Sequence, residues 1–280
     1  MMKKDFVSIM KICVLVFLVM LLCYVPGCKK SSPEDDKEVP VQPSVSEQPS
    51  VSEQPSVSAS EQPSTEPAVT KETTAVKSTA PTGMVAIDIK LPKPMFVGTP
   101  QSTKVANLEK PLGKPRPPFL APAGTTNVAL GKPVASSDEE PIIGDIEMIT
   151  DGDMEAADGS YVELGPFVQD VTVDLEAMHE IYAILVWHYH KQARVYYDVV
   201  VQVADDPDFI TNVRTLFNND TDNSAGIGVG QDMHYTETNE GKLIDAKGTK
   251  ARYVRLHSNG NTGNDLNHYI EVAVYGKPVQ

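Results

Sequence analysis

Between residues 125 and 278 apolar side chains recur at alternate positions in short runs. The segments "YVEL", "DVTVDL", "EIYAILVWHYH", "YDVVVQVA", "ARYVRLHS" and "YIEVAVYG" each read as a strand. Turn clusters rich in Gly, Asn and Asp separate them: "DGDMEAADGS", "NNDTDNSAGIGVG", "TNEGKLIDAKGTK" and "SNGNTGNDLN". No window shows a long amphipathic helix. Short strands punctuated by turn signals predict an all-β sandwich or barrel of one domain's size.

Upstream the pattern changes twice. "MVAIDIKLP" alternates Val85, Ile87 and Ile89 against Ala86, Asp88 and Lys90, a strand-like period of two. "KPMFVGTP" and "LEKPLGKPRPPFLAP" then bring prolines that exclude helix and central strand. Residues 84–122 therefore read either as an extended arm lying on the domain through Phe96 and Phe119, or as more linker. Residues 29–83 contain no Leu, Ile, Met or aromatic residue and echo "PSVSEQ". They have too little apolar surface to offset the entropy of ordering, so 28–83 is expected to be a disordered spacer. Such a coil holds its ends roughly 40 Å apart.

The first 28 residues carry Lys3 and Lys4, an apolar run from Ile12 to Val25, and Gly27 before Cys28. The run is shorter than the roughly 20 residues that span a bilayer, which suits a secretory signal over residues 1–27 better than an anchor helix. "VPGC" resembles the cleavage site of a bacterial lipoprotein signal. The resemblance implies lipidation of Cys28, a membrane attachment through that lipid, and export to the periplasm or cell surface. Lys29, where an Asp often retains such proteins at the inner membrane, favours the outer membrane. The three cysteines are 13, 23 and 28, so no disulfide framework is expected after cleavage. Net charge is -14, which repels phosphate backbones and argues against nucleic acid as a partner.

"NVALGKPVASS", "ITDGD", "VTVDLEAMHEIYAILVW", "VVVQVADDPDF", "ARYVRL" and "IEVAVYGK" occur in the order of the landmarks of the discoidin, or coagulation-factor type C, domain. The resemblance covers 125–278 and implies a galactose-binding-like jelly-roll β-sandwich. The family binds glycans, lipid head groups or proteins through loops at one end, and catalysis is not among its roles. It also implies a structural calcium, with Asp151, Asp153 and Glu271 at the ligand positions. A solvated acidic turn is the other reading of "ITDGDMEAADGS".

The stretch "LVWHYHKQARVYYDV" holds the chain's single Trp beside two His and an Arg. On a strand, Ile184, Val186, His188 and His190 share one face and Leu185, Trp187 and Tyr189 the other. Trp187 then packs, and the two His are expected near the rim. Three readings stay open. His188 and His190 sit about 7 Å apart along a strand, a workable pair for zinc with His234, His257, His268 or an Asp as third ligand. With Arg194 they also suit hydrogen bonding to sugar hydroxyls. Finally, they can be structural, bonding backbone at a strand end. Fucose-binding lectins similar to this fold use a His with Arg residues at one end of the sandwich.

Asn259, Asn261 and His268 stand in another polar loop and are candidates to complete the ligand site. "FNNDTDNSAGIG" fails as a helix-loop-helix calcium loop, because Ala225 stands where Gly is required and Gln231 where Glu is; its Asn and Asp are expected to support turns. No Gly-x-Ser-x-Gly elbow or His-Glu-x-x-His is present. The reading is an exported, lipid-anchored protein whose discoidin-like domain binds carbohydrate and is not an enzyme. The alternatives are a protein–protein adhesion module and a metal-dependent enzyme using His188 and His190.

Overall fold

The structure is a computed structural model that describes residues 82–96 and 103–279. The signal segment 1–27, the lipidation position Cys28 and the spacer as far as residue 81 lie outside the described residues. The chain divides into two units, 1–72 and 73–280, and all described residues belong to the second.

The described residues form eleven strands. They are β1 (Met84–Ala86), β2 (Leu120–Pro122), β3 (Thr126–Asn127), β4 (Val134–Ser136), β5 (Val162–Pro166), β6 (Gln169–Trp187), β7 (Val200–Ala204), β8 (Arg214–Asn218), β9 (Lys242–Ser258), β10 (Leu266–Tyr269) and β11 (Glu271–Pro278). The only helical element among the described residues is a 3-10 turn, Ile146–Thr150. A seven-stranded sheet runs β3-β11-β6-β9-β7-β8, with β4 also on β6. β10 pairs with β5 and β1 with β2, and every strand pairing is antiparallel. The fold is an all-β antiparallel sandwich.

Two strands are far longer than the alternation suggested. β6 joins "DVTVDL" and "EIYAILVW" into one strand of 19 residues, and β9 runs 17 residues through the "DAKGTK" turn signal. The turn-forming residues are spent on bulges inside these strands. The β6–β9 register shifts between Asp174 and His179 and again between Ile181 and Ala183. Glu176, Lys247 and Gly248 take positive φ there, at 64°, 54° and 74°. Asp174 and Asp245 steady the bends by accepting the backbone N–H groups of Glu176 and Lys247 at 2.7 and 3.0 Å. The forked pair of Arg252 on Asp174, at 2.7 and 2.8 Å, ties the first bend across to β9.

The second bulge explains the parity of β6. Ile181 and Ile184 share one core, although an even number of steps does not separate them, because the bulge inserts a residue. Beyond it the period of two is regular. Ile184 and Val186 face the sandwich interior with Val201, Val254, Leu256 and Tyr269. Ala183, Leu185 and Trp187 face the opposite way and are equally buried.

Residues 84–96 and 103–122 cover that second face. β1 and β2 form a hairpin with Met84 opposite Pro122, and the Ile87 N–H donates to the Phe119 carbonyl at 3.0 Å. Ile87, Ala121, Ile89 and Phe119 pack with Leu185, Trp187 and Ile270 into a separate apolar cluster. Between its ends the arm is bonded along the 234–241 segment. Leu108 bridges His234 in parallel, and the Glu109 N–H donates to the His234 carbonyl at 2.8 Å. The prolines of the described part favour extended backbone, and Arg116, Glu109 and the Pro92 carbonyl bond to the sandwich.

Candidate functional site

The end of the sandwich where β6 stops is built by residues 188–198, the 235–240 segment and the 259–265 loop. Residues 195–197 pair with that loop. The Thr262 N–H donates to the Val195 carbonyl at 3.0 Å, and the Tyr197 N–H to the Gly260 carbonyl at 3.1 Å. Asn261 holds the loop itself. Its carboxamide donates to Asn264 and Leu266 at 2.8 and 2.9 Å and accepts from the Gly263 N–H at 2.8 Å. Asn259 donates to Asp198 at 2.8 Å. Both asparagines spend their side chains on loop architecture.

His188 and His190 do not stand at a rim. Both side chains are fully buried, which corrects the expectation that they present donors outward. His188 Nδ1 donates to Glu237 Oε1 at 2.7 Å inside the core, and its ring stacks on Tyr196 at 4.4 Å and 18°. His190 Nε2 bonds the Met154 carbonyl at 3.0 Å. The physical reason is cover: the 235–237 and 154–158 segments close over the strand end, which the alternation of β6 alone cannot reveal. The two imidazoles therefore bond to different elements and do not make a metal pair. Trp187 is buried as expected, but against the arm. Its indole N–H donates to the Asn239 carbonyl at 3.0 Å, and Gly241 lies so close that a Cβ there would meet the ring at 2.8 Å.

Arg194 and His268 do come together. The Arg194 guanidinium lies 4.8 Å from the Tyr189 ring centroid, and Tyr161 meets Tyr189 edge-on at 5.0 Å. The Tyr196 hydroxyl donates to His268 Nδ1 at 3.0 Å, and His268 Nε2–H donates to Glu163 Oε2 at 2.9 Å, since a carboxylate can only accept. Burial first, then the neighbouring Arg194 and His188, push His268 down to about 3, so its ring is neutral. Burial raises the Glu163 carboxyl above its ordinary value, and Arg194 opposes the rise. The result is a cation, a carboxylate and the Tyr161 ring at one end of the sandwich, with Arg194, Tyr161 and Glu163 only half-buried and Tyr189 buried beneath Arg194. Tyr161, Glu163 and Tyr189 were not singled out from sequence. A signal existed, because Val162 and Leu164 are fully buried and period two turns Tyr161 and Glu163 the other way.

On the arm-covered side, the Gly152 N–H donates to Glu271 Oε2 at 3.1 Å, bringing the acidic turn to the start of β11. Burial, with Asp151 and Asp153 adding repulsion, pushes the Glu271 carboxyl up to about 8. Asp151 and Asp153 accept the backbone N–H groups of Asp153 and Glu155 at 2.7 and 2.9 Å, and the oxygens of Asp151, Asp153 and Glu271 do not all lie within 4.8 Å of one another. The one acidic trio among the described residues whose oxygens lie within 4.8 Å of one another is a different one, Asp198, Asp220 and Asp222. Its carboxylates support turns: Asp220 accepts the Ser224 and Ala225 N–H groups at 3.0 Å, and Asp198 accepts the Ser224 hydroxyl at 2.6 Å.

No family model and no curated protein matches the chain. Among solved structures, it is similar to a family 89 glycoside hydrolase from Clostridium perfringens at 18% identity and a TM-score of 0.40, covering 55% of this chain and 15% of that one. The chain thus spans a small fraction of that enzyme's length. It is similar to the CBM32 of AlyQ in complex with 4,5-unsaturated mannuronic acid, at 21% identity and a TM-score of 0.38, over 51% of this chain and 92% of that one. A fucose binding module of Streptococcus pneumoniae, SpX-3, is similar at 17% identity and a TM-score of 0.38, over 54% of this chain and 97% of that one.

Proposed function

We propose that the sandwich binds carbohydrate at the end bearing Arg194, and that it is a binding module without catalytic chemistry. The observation that carries this reading is the Arg194 guanidinium stacked on Tyr189, with Tyr161 and Glu163 beside it. Aromatic faces take the C–H side of a sugar ring, while a guanidinium and a carboxylate bond paired hydroxyls. Neutral His268 holds Glu163 in place without adding a competing charge. His188, His190, Asn259 and Asn261 serve as the frame behind these groups. The order of sequence landmarks supports the same reading.

The proposal extends to the rest of the chain. A lipid on Cys28 attaches the exported protein to a membrane, the outer one favoured, and calcium held by Asp151, Asp153 and Glu271 fixes the acidic turn. A glycan array probed with the full chain tests the central claim. Arg194→Ala and Tyr161→Ala are expected to weaken binding several-fold while the melting temperature holds. Binding unchanged in both variants would reject this end as the site. Absence of any glycan binding by the wild-type chain would reject the function. Metabolic labelling with a palmitate analogue tests the anchor, and an unlabelled wild-type protein removes it.

A further inference from the structure

A cavity of about 670 Å³ lies between the arm and the 235–243 segment, within the size range of small-ligand sites. One wall is the arm, with Met95, Phe96, Pro111 and Leu112; the other carries Thr236, Thr238 and Lys242. The walls are fixed to each other. Arg116 donates through its guanidinium to the Gly241 and Glu240 carbonyls at 2.9 and 2.8 Å, and its backbone N–H meets the Glu240 carboxylate at 3.2 Å. Lys242 pairs with Glu109 at 2.9 Å, and Asn239 donates to the Pro92 carbonyl at 3.0 Å. Beneath them the Trp187–Asn239 bond holds the floor.

The charges in this cavity do not cancel. Glu109 pairs with Lys242, and the Glu240 carboxylate accepts the Arg116 backbone N–H with the Arg116 charge nearby. Lys110 and Lys114 also line the cavity, are exposed, and have no ion pair among the described residues. In a chain of net charge -14 this is a local reversal of sign, and it selects for an anionic group. Leu112, 62% exposed, and Phe96 line the same cavity as the two lysines and add apolar surface to it. Hydroxyls on Thr236 and Thr238 add polar partners across the cavity.

We infer that the cavity under the arm is a second carbohydrate site, specific for acidic sugars, in which Lys110 and Lys114 take the carboxylate of a uronic acid. The inference rests on the carbohydrate reading of the sandwich, but its residues belong to a different surface from Arg194. The pyranose ring packs against Leu112 and Phe96, and its hydroxyls meet Thr236 and Thr238. Discrimination from neutral sugars comes from the two lysines, so affinity falls as salt rises.

The test titrates the full chain with a panel of hexuronate oligosaccharides and with the carboxyl-reduced, neutral form of each, by calorimetry at low and high salt. At least one uronate is expected to bind tenfold or more tightly than its reduced form, with the preference shrinking at high salt. Lys110→Glu combined with Lys114→Glu should abolish that preference and leave both the melting temperature and neutral-glycan binding as they are. Arg194→Ala should do the reverse. Uronates binding no better than their reduced forms, or a preference that survives the double reversal, would overturn the inference while leaving the Arg194 site standing. If no sugar of either kind binds, the carbohydrate reading and this inference fall together.

Discussion

The two faces of β6 are buried by different parts of the chain. Ile184 and Val186 meet the opposing layer of the sandwich, whereas Ala183, Leu185 and Trp187 meet the arm. The inner face is closed by strands that the alternation of residues 125–278 made visible. The outer face is closed by a proline-rich stretch that looks like linker by composition. Because an antiparallel sheet can leave one face in water, an apolar outer face is itself a demand for cover. Here the demand is met from within the chain, so the folding unit extends upstream to residue 84.

The sharpest way to break this comparison is to delete residues 84–122. Leu185, Trp187 and Ile270 would then face solvent, and the sandwich is expected to aggregate or lose its cooperative melt. A melt matching that of the full chain would mean the arm is dispensable. Truncating single side chains refines the point. Trp187→Ala should cost roughly 3–5 kcal/mol, and Leu185→Ala and Ile184→Ala about 2–5 kcal/mol each. Denaturant titrations should find the Leu185 and Ile184 costs alike. A Leu185 cost near zero would show that the outer face is only loosely covered.

The acidic turn belongs to the outer side as well, since Met154 and Ala156 pack in the same cluster as Trp187. If calcium binds there, stability should rise by about 2.7 kcal/mol at a hundredfold excess over the dissociation constant. Melting should drop with EDTA, recover with calcium, and become insensitive to both in Asp151→Ala. An EDTA-independent melt of the wild-type chain removes calcium from the account. The inner side is expected to respond to pH instead. His268 titrates at 6.5 in its ordinary state and at about 3 when folded, so the unfolded chain binds the extra proton between those values. Its contribution to stability is complete above 6.5 and is lost as pH falls towards 3. His268→Gln should flatten the acid slope of the melting temperature in that window. A slope identical to wild type would mean that the ring is not held neutral.

Much of this was legible in the residues. The alternation in "EIYAILVW" gave the correct facing of Ile184, Val186, Leu185 and Trp187, and the landmark order matched an antiparallel sandwich. Two things were not legible. Turn residues at 245–248 and 175–178 look the same whether they end a strand or bend it, because both uses need positive φ and Asp-supported backbone. The depth of His188 depended on Glu237, 49 positions away, whose carboxylate gives the imidazole a buried partner. Arg194 was nameable by residue type, but the Tyr161 and Glu163 that complete its surroundings come from a neighbouring strand end.

The β1–β2 hairpin has a mechanical meaning. Gly83 and Ala123 sit at its open end, where the Ala123 N–H bonds the Gly83 carbonyl at 3.0 Å. A pull on the chain upstream of residue 83 therefore reaches the Met84–Pro122 pair first and opens the rungs one after another instead of shearing them together. Tension of this kind peels the hairpin before it loads the long β6–β9 seam. The part of the arm that tension reaches first is thus continuous with the cluster that covers Trp187.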